Sequence, residues 1–287
     1  MRGVAIWQGG VLSLPPLRGK VRMGVELSPP SPNENGEAER HPLTHPIPLR
    51  AVIFDAYGTL FREDHVLHLD VFQRMVDLLN IPLSAEAFRA EWLANDRAFR
   101  RRRVVLTPEG AHADAFQSYR HAWTENVAKI LAAHAAPGDP AATADLMAQA
   151  LAANAPYPET PDVVRAVAAC VPIAILSNAD PDYFAKTLQD SGLAFHAIVL
   201  SGNEQIYKPH PRIFHRGAEL LLCHPQEALF VGNSPEEDVR GAALAGMPTI
   251  WINRYGNPWP LPDLTPAYQL PDLLGVPNIV RAHAAID

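Results

Sequence analysis

The chain has 287 residues, of which 48% are hydrophobic, a net charge of −7 at pH 7 and a pI near 5.9. This length allows a full hydrophobic core in one or two domains, and the negative charge argues against nucleic-acid binding, which needs a basic face. No run of about 18 apolar residues is present, so no membrane association is expected. The two cysteines, Cys170 and Cys223, fit neither a disulfide framework nor a metal site, which favours a cytoplasmic protein.

Residues 1–48 form a proline-rich segment that contains eight of the 28 prolines. Such a segment has too little contiguous apolar surface to offset its conformational entropy. We therefore expect either a disordered extension or residues added by an upstream start codon that was assigned in error.

Residues 50–61 read R-A-V-I-F-D-A-Y-G-T-L-F, a short apolar run that ends abruptly at Asp55. An unbroken apolar run of this length predicts a buried strand of a parallel sheet. Gly58 permits a tight turn after the strand, and Thr59 adds a hydroxyl group beside the carboxylate. Asp55 is thus predicted at the carboxyl end of a strand, where α/β proteins bind their ligands.

The pattern becomes helical after Phe61 and remains so up to residue 154. Apolar residues at spacings of three and four predict a helix over 65–80 and a second that begins at Ser84, a good N-cap, and ends at the arginines 100–103. Further helices are predicted over 112–134 and 140–154. Nothing in this stretch resembles a strand, so residues 63–157 are predicted to form a helical insertion.

From residue 157 onward, strand and helix patterns alternate. The predicted strands cover 171–176, 197–200, 228–231 and 248–252, the predicted helices cover 161–169, 181–191, 209–223 and 239–245, and the tail has a short predicted helix at 270–274. Such alternation predicts a doubly wound, Rossmann-like parallel sheet. The predicted α/β core therefore comprises residues 49–62 and 158–287, with the helical insertion at 63–157 as a cap domain.

Polar side chains follow four of the predicted strands, and the carboxyl ends of parallel strands share one edge of the sheet. A lysine near a carboxylate keeps it ionised, and hydroxyl and amide groups can bind an oxyanion. Carboxylate and amide oxygens also suit Mg²⁺. In chain order these residues are Asp55; Ser177 and Asn178; Lys208; and Asn233, Ser234 and Asp238.

The motifs F-D-A-Y-G-T-L, L-S-N-A, Y-K-P and V-G-N-S-P-E-E-D, in this order, resemble those of the haloacid dehalogenase-like (HAD) hydrolases, in particular subfamily I with its helical type 1 cap. The resemblance implies a covalent aspartyl-enzyme, a charge-balancing lysine and a cap that closes over a small anionic substrate. It implies three sets of residues: catalytic Asp55, Ser177 and Lys208; substrate-binding Tyr57, Gly58, Thr59, Asn178 and Arg89; and Mg²⁺ ligands Asp55, Tyr57, Asn233 and Asp238.

Two departures from the family patterns concern the substrate. Tyr57 and Asn233 stand where the family's phosphatases have acids, and a phenol with a reference pKa of about 10 is a poor base. The metal-independent 2-haloacid dehalogenases share F-D-A-Y-G-T-L, but Phe214 and Pro235 stand where they have tyrosine and asparagine. Their substrate-binding arginine is matched only loosely by Arg89.

The sequence leads us to expect a Mg²⁺-dependent phosphatase that acts on a small phosphorylated metabolite, as a monomer or homodimer. The alternatives are a 2-haloacid dehalogenase without metal and a non-catalytic binding protein with the same fold. Arg97 and the arginines at 100–103 are interpreted as a solvated helix end, with the alternative that one of them reaches an anionic substrate. Glu236 and Glu237 are interpreted as first-turn acids favoured by a helix dipole.

Overall fold

A parallel sheet of six strands forms the centre of the computed structural model, which describes residues 48–63, 69–107 and 114–284. The strands lie side by side in the order β3-β2-β1-β4-β5-β6, and every neighbouring pair is parallel. In chain order they are β1 (Ala51–Phe54), β2 (Ile173–Ser177), β3 (Ala197–Leu200), β4 (Ala228–Gly232), β5 (Thr249–Ile252) and β6 (Tyr268–Leu270).

The strands that follow β1 in the chain are added first on one side of β1 and then on its other side. β2 and β3 extend one side of β1, whereas β4, β5 and β6 extend the opposite side. The order of strands therefore reverses between β1 and β4, and a crevice for a ligand forms at their carboxyl ends. Ile53 pairs with Ala174 on one side and with Phe230 on the other, which places β1 in the interior of the sheet.

Helices cover both faces of the sheet, because successive strand residues point to opposite faces and both sets are apolar. Val52 and Phe54 belong to one hydrophobic cluster, and Ala51 and Ile53 belong to the other. The α-helices are α1 (Leu69–Leu79), α2 (Ala85–Arg103), α3 (Tyr119–Ala133), α4 (Pro140–Ala152), α5 (Thr160–Ala168), α6 (Pro181–Ser191), α7 (Ser201–Glu204), α8 (Pro211–Leu220), α9 (Gly241–Leu244) and α10 (Val276–His283). The doubly wound α/β fold predicted from the sequence is confirmed.

The four helices α1 to α4 lie between β1 and β2 in the chain, as the helical insertion predicts. The chain leaves and re-enters the sheet at one place: Arg62 N donates to Ala155 O at 3.0 Å, and Tyr157 N donates to Leu60 O at 3.0 Å. All described residues belong to one compact unit, Arg40–Asp287, and the division into core and cap stays a prediction. The extension predicted for residues 1–48 lies outside the described residues except for Pro48.

Two local predictions are wrong. The tail helix predicted over 270–274 is absent; Tyr268–Leu270 is instead an edge strand, and the helix comes later, at Val276–His283. Three residues are too few to show alternation, and the strand exists because it pairs with β5, where Asn253 N donates to Leu270 O at 2.7 Å. The helix predicted over 239–245 begins earlier, at Pro235, because Ser234 caps a π-helical turn.

Among the described residues, no helix is both long and apolar enough to cross a membrane.

Candidate active site

A cavity of about 370 Å³ lies at the carboxyl edge of the sheet, between the strand ends and the helices of the insertion. Every residue from the four strand-end motifs that the sequence singled out for catalysis lines it, with helical side chains opposite. The lining residues are Asp55, Tyr57, Glu63, Ser177, Asn178, Lys208, Asn233, Ser234, Glu237 and Asp238 on the strand side, and Trp92, Leu93, Asp96, Arg97, Arg100, Arg103, Tyr119, Trp123, Met147, Leu151 and Tyr183 on the helical side.

Lys208 bridges two buried carboxylates at the base of the cavity. Its Nζ lies 2.6 Å from Asp55 Oδ1 and 2.6 Å from Asp238 Oδ1, and the three side chains are 2%, 7% and 1% exposed. Burial raises the pKa of both carboxyl groups, and the lysine charge opposes that rise. Burial also disfavours the charged lysine, but the two carboxylates outweigh it and raise the pKa of Lys208 above its usual value. The ammonium group therefore stays protonated near neutral pH.

The second carboxylate oxygen of Asp55, Oδ2, is buried and has no hydrogen-bond partner among the described residues. A buried polar atom without a partner is costly, and such atoms are concentrated where a ligand completes the site. Asp55 thus has Oδ1 held by Lys208, whereas Oδ2 accepts no hydrogen bond of normal geometry, and the nearby Thr59 hydroxyl also acts to lower the pKa of this carboxyl group. That is the arrangement a carboxylate nucleophile needs.

The side-chain amide of Asn178 positions Lys208, and none of its hydrogens is free to bind a ligand in the cavity. Its Oδ1 accepts from Lys208 N at 2.8 Å, and its Nδ2 donates to Lys208 O at 3.2 Å and to Glu237 Oε2 at 2.7 Å. Both amide hydrogens are therefore used, and the substrate-binding role that the resemblance implies for Asn178 stays a prediction. Ser177, buried at the end of β2, lines the cavity directly.

Tyr57 forms part of the apolar wall of the cavity. Its hydroxyl shares a hydrogen bond of 2.9 Å with Thr187 Oγ1, and its ring packs against Phe61, Tyr183 and Phe184. Burial raises the pKa of Tyr57 above its usual value. The phenol stays neutral and shapes the cavity, so it cannot replace the acid that phosphatases carry at this position.

Gly58 and Thr59 make the tight turn that follows β1. Gly58 has a φ of 84°, and a Cβ atom there would collide with the side-chain amide of Asn233, so the turn requires glycine. Thr59 Oγ1 donates to Asn233 Oδ1 at 3.3 Å. Asn233 thereby joins the turn after β1 to the end of β4.

All four predicted Mg²⁺ ligands have a partner within the protein. Lys208 Nζ lies between Asp55 and Asp238 and contacts one oxygen of each. The oxygen of Asn233 accepts from Thr59, and the hydroxyl of Tyr57 is directed to Thr187. In the described part of the chain, no group of three or more His, Cys, Asp or Glu residues could hold a metal ion. Mg²⁺ binding stays a prediction from the resemblance.

Glu237 and Arg103 form an ion pair in the cavity wall that the sequence did not indicate. Arg103 Nη2 lies 2.5 Å from Glu237 Oε1, and the guanidinium lies over the rings of Tyr119 and Tyr207. Burial acts to raise the pKa of Glu237, but the positive charges of Arg103, Arg100 and Lys208 together outweigh it and lower the value to about 2. Glu237 does lie in the first turn of a helix, as expected, yet it lines the cavity. A solvated acid in the first turn of a helix would occupy the same position in the sequence, so only the packing around Glu237 shows that it lines the cavity.

The predicted substrate-binding Arg89 is not among the residues that line the cavity. Arg97 and Arg100, which lie two and three turns later on α2, do line it. Arg100 is paired with Asp96 at 2.6 Å, whereas Arg97 has no ion-pair partner in the described ranges. The structure therefore places Arg97 and Arg100 at the cavity but not Arg89, and substrate binding by Arg89 stays a prediction.

Comparisons with known proteins agree with this site. Residues 49–246 match the family model "haloacid dehalogenase-like hydrolase". The (S)-2-haloacid dehalogenase of Xanthobacter autotrophicus is 31% identical over 210 residues, 72% of this chain and 76% of that protein. The phosphoserine phosphatase of Thermus thermophilus is 38% identical, but over only 103 residues, 35% of this chain and 41% of the phosphatase.

Among solved structures, the L-2-haloacid dehalogenase RSc1362 superposes with a TM-score of 0.66 at 26% identity, covering 82% of this chain and 99% of that one. The similarity thus extends over the sheet and the inserted helices together, and the family model spans all four motifs that carry Asp55, Ser177, Lys208 and Asp238. This chain belongs to the haloacid dehalogenase-like hydrolase family.

Proposed function

We propose that this protein hydrolyses the carbon–halogen bond of a small 2-haloacid through a covalent ester on Asp55, without a metal ion. The observation that carries the proposal is the carboxylate of Asp55, with Oδ1 held by Lys208 and Oδ2 buried without a partner. Relatives with long overlaps support this alternative over the phosphatase expected from the sequence, because the similarity to the 2-haloacid dehalogenases extends over most of the chain.

In the first step, Oδ2 of Asp55 attacks the carbon that bears the halogen. The new C–O bond forms as the C–halogen bond breaks, and the halide leaves with the bonding electron pair. The charge of Lys208 favours the ionised form of Asp55 against the effect of burial and holds the carboxylate in place, so it approaches the carbon from a fixed direction. The product of this step is an ester between Asp55 and the 2-carbon of the acid.

In the second step, water attacks the carboxyl carbon of the Asp55 ester. Asp238 is the base that we assign, because it shares Lys208 with Asp55 and therefore lies within two hydrogen-bond lengths of it. Burial raises the pKa of Asp238, which brings its affinity for a proton closer to what base catalysis near neutral pH requires. The ester cleaves to a 2-hydroxy acid, and Asp55 is regenerated with one oxygen from water.

The cavity suits a short acid with one anionic group. Its volume of about 370 Å³ holds only a small molecule, and Arg97 supplies positive charge on the wall opposite Asp55. The rings of Tyr57, Trp92 and Trp123 form the apolar part of the wall and exclude bulk water. A carboxylate near Arg97 would leave the halogen-bearing carbon on the side of Asp55.

The test measures halide release from racemic 2-chloropropionate in the presence of EDTA, with Asp55→Asn as the matched variant. We expect release by the wild type and none by Asp55→Asn. Turnover in H₂¹⁸O should also place ¹⁸O in the peptide that contains Asp55, because water attacks the carboxyl carbon of the ester. Halide release with no label in that peptide would contradict the covalent mechanism.

A second candidate is the phosphatase, and the 38% identity to the Thermus thermophilus phosphoserine phosphatase over 103 residues favours it. Phosphate release from a panel of small phosphoesters, with and without Mg²⁺, distinguishes the two reactions. If the protein releases phosphate in a Mg²⁺-dependent manner and no halide, the phosphatase is correct. If Asp55 is never modified by either class of substrate, the result supports the non-catalytic alternative.

A further inference from the structure

Arg254 lies two residues after β5. All three nitrogens of its guanidinium group contact either the segment that follows β1 or the segment that precedes α5. Nη2 donates to Thr59 O at 2.9 Å, and Nε donates to Gly58 O at 3.4 Å. Nη1 forms an ion pair with Glu159 Oε1 at 2.8 Å, and the guanidinium carbon lies 3.5 Å from the centre of the Tyr157 ring. The side chain is only 12% exposed.

The contacts of Arg254 join two segments that we call the crossing segments, residues 58–62 and 155–160. The first leads from Asp55 to the inserted helices, and the second returns from them to α5. Backbone bonds already link the segments, from Tyr157 N to Leu60 O at 3.0 Å and from Arg62 N to Ala155 O at 3.0 Å. Thr160 Oγ1 also donates to Leu60 O, at 2.9 Å.

We propose that Arg254 is a positioning residue that fixes the turn after β1 against the crossing segments and thereby sets the orientation of Asp55 for attack. The carbonyls of Gly58 and Thr59 are the groups it holds, and the turn that they form has a φ of 84° at Gly58, which glycine adopts without strain. Asp55 stands immediately before this turn. A displacement of the turn therefore moves the nucleophile relative to the substrate, and rates are sensitive to such displacements.

The fork geometry of arginine is essential to this role. The planar guanidinium of Arg254 contacts two neighbouring carbonyls, the carboxylate of Glu159 and the face of the Tyr157 ring. A lysine ammonium is a point charge that cannot stack flat on a ring. Lysine at position 254 should therefore keep the ion pair with Glu159 but not hold both carbonyls. The expected effect of Arg254 on kcat rests on the proposed function. Its expected effect on the order of the backbone in the crossing segments does not depend on any activity.

The experiment compares the full-length wild type with Arg254→Ala, Arg254→Lys and the control Arg216→Ala. Arg216 is a matched control because it also contacts two acids, Glu204 and Glu219, but on α7 and α8. Hydrogen exchange measured by mass spectrometry should rise about tenfold in peptides over both crossing segments in Arg254→Ala, with peptides of β2 and β3 unchanged. Arg254→Lys should show an intermediate rise, and Arg216→Ala none in these peptides.

The kinetic measurement uses halide release by the same variants. For Arg254→Ala, kcat should fall about tenfold or more with KM changed less than about twofold, and added guanidinium ion should restore part of kcat. If exchange in the crossing segments is unchanged, or rises equally in all peptides as expected for a general loss of stability, the inference is wrong. If the wild type releases no halide, the proposed function fails, and the exchange data alone decide whether Arg254 holds the turn.

Discussion

Lys208 determines the charge balance at the base of the cavity, because two carboxylates share its single positive charge. Asp55 and Asp238 are both almost fully buried, and Lys208 Nζ contacts each at 2.6 Å. With both acids ionised, the three groups together carry a net negative charge in a poorly solvated place. Burial accordingly raises the pKa of both carboxyl groups despite the lysine. The stability and the activity of the protein should therefore both depend on pH through these groups.

Replacing Lys208 with methionine should destabilise the protein, and more strongly at pH 8 than at pH 5. Without the ammonium group, the folded-state pKa of Asp55 and Asp238 rises further above the unfolded value. Stability is then retained where the acids are protonated and is lost as the pH rises through their folded pKa. We expect a loss of about 3 kcal/mol in the free energy of unfolding at pH 8. Urea unfolding at both pH values measures it.

Lys186→Met is the control for that comparison, because Lys186 also pairs with an aspartate, Asp190, but is 63% exposed. Its effect should be small and nearly the same at the two pH values. An equal loss of stability at pH 5 and pH 8 for Lys208→Met would contradict the raised pKa of the buried pair.

The rate of ester formation should rise with pH through an apparent pKa above the usual range of aspartate, because Asp55 attacks only when ionised. Asp238 is a like charge beside it, so Asp238→Asn should move that apparent pKa toward lower pH. Asp238→Asn should also slow the hydrolysis of the ester, which then accumulates and adds the mass of the acid to the Asp55 peptide. Rapid-quench mass spectrometry across pH 4 to about 8 measures both effects. An unshifted pH profile would show that the two acids do not interact.

Helix α2 presents its arginines to the cavity at a spacing of three residues. Arg97, Arg100 and Arg103 line the cavity, and this spacing keeps them on one face of the helix. Arg103 forms an ion pair with Glu237, and Arg100 forms one with Asp96. Arg97 is the one of these three without an ion-pair partner in the described ranges. Arg97 is therefore the arginine of the cavity wall that we propose binds the substrate.

Arg97→Ala should raise KM for a 2-haloacid about tenfold and leave kcat nearly unchanged, because a carboxylate that binds equally in the ground state and the transition state affects KM alone. Arg101→Ala is the matched control, since Arg101 is exposed on the same helix and does not line the cavity. Steady-state kinetics of halide release gives KM and kcat for the two variants and so tests whether Arg97 binds the substrate. If the two variants have the same KM, Arg97 does not contact the substrate.

At the scale of the whole molecule, the part of the chain that the structure describes contains the sheet, both hydrophobic clusters and the cavity. Leu49 pairs with Ala284, so the first and last described segments meet beside the sheet. A chain that begins at residue 48 should therefore keep the melting temperature of the full chain to within about 2 °C, since a change of 1 kcal/mol moves a domain of this size by about 2–4 °C. Differential scanning calorimetry of the two chains tests it, and a larger drop would show that residues 1–47 stabilise the fold.

The sequence by itself determined the α/β class and the position of Asp55 at the carboxyl end of β1. Unbroken apolar runs such as 51–54, alternating with helical patterns, are typical of the doubly buried strands of a parallel sheet, and the polar residue that ends such a run then lies at one edge of the sheet. Asp55 and Ser177 could be predicted because they stand at the ends of β1 and β2, whereas Lys208 and Asp238 lie beyond the ends of β3 and β4 and were predicted from the order of the motifs. Gly58 could be predicted because a tight turn needs its backbone freedom.

Only the tertiary structure decided which side chains complete the site. Lys208 lies between two acids instead of beside one, Asn178 holds the lysine backbone, and Glu237 is paired with Arg103 from a helix 134 positions away in the chain. These contacts depend on how the inserted helices pack over the strand ends, and neither the periodicity of a helix nor the spacing of a motif encodes that orientation. The edge strand β6 and the contacts of Arg254 escaped prediction for the same reason. Their stability comes from partners that are distant in sequence, so no local pattern records them.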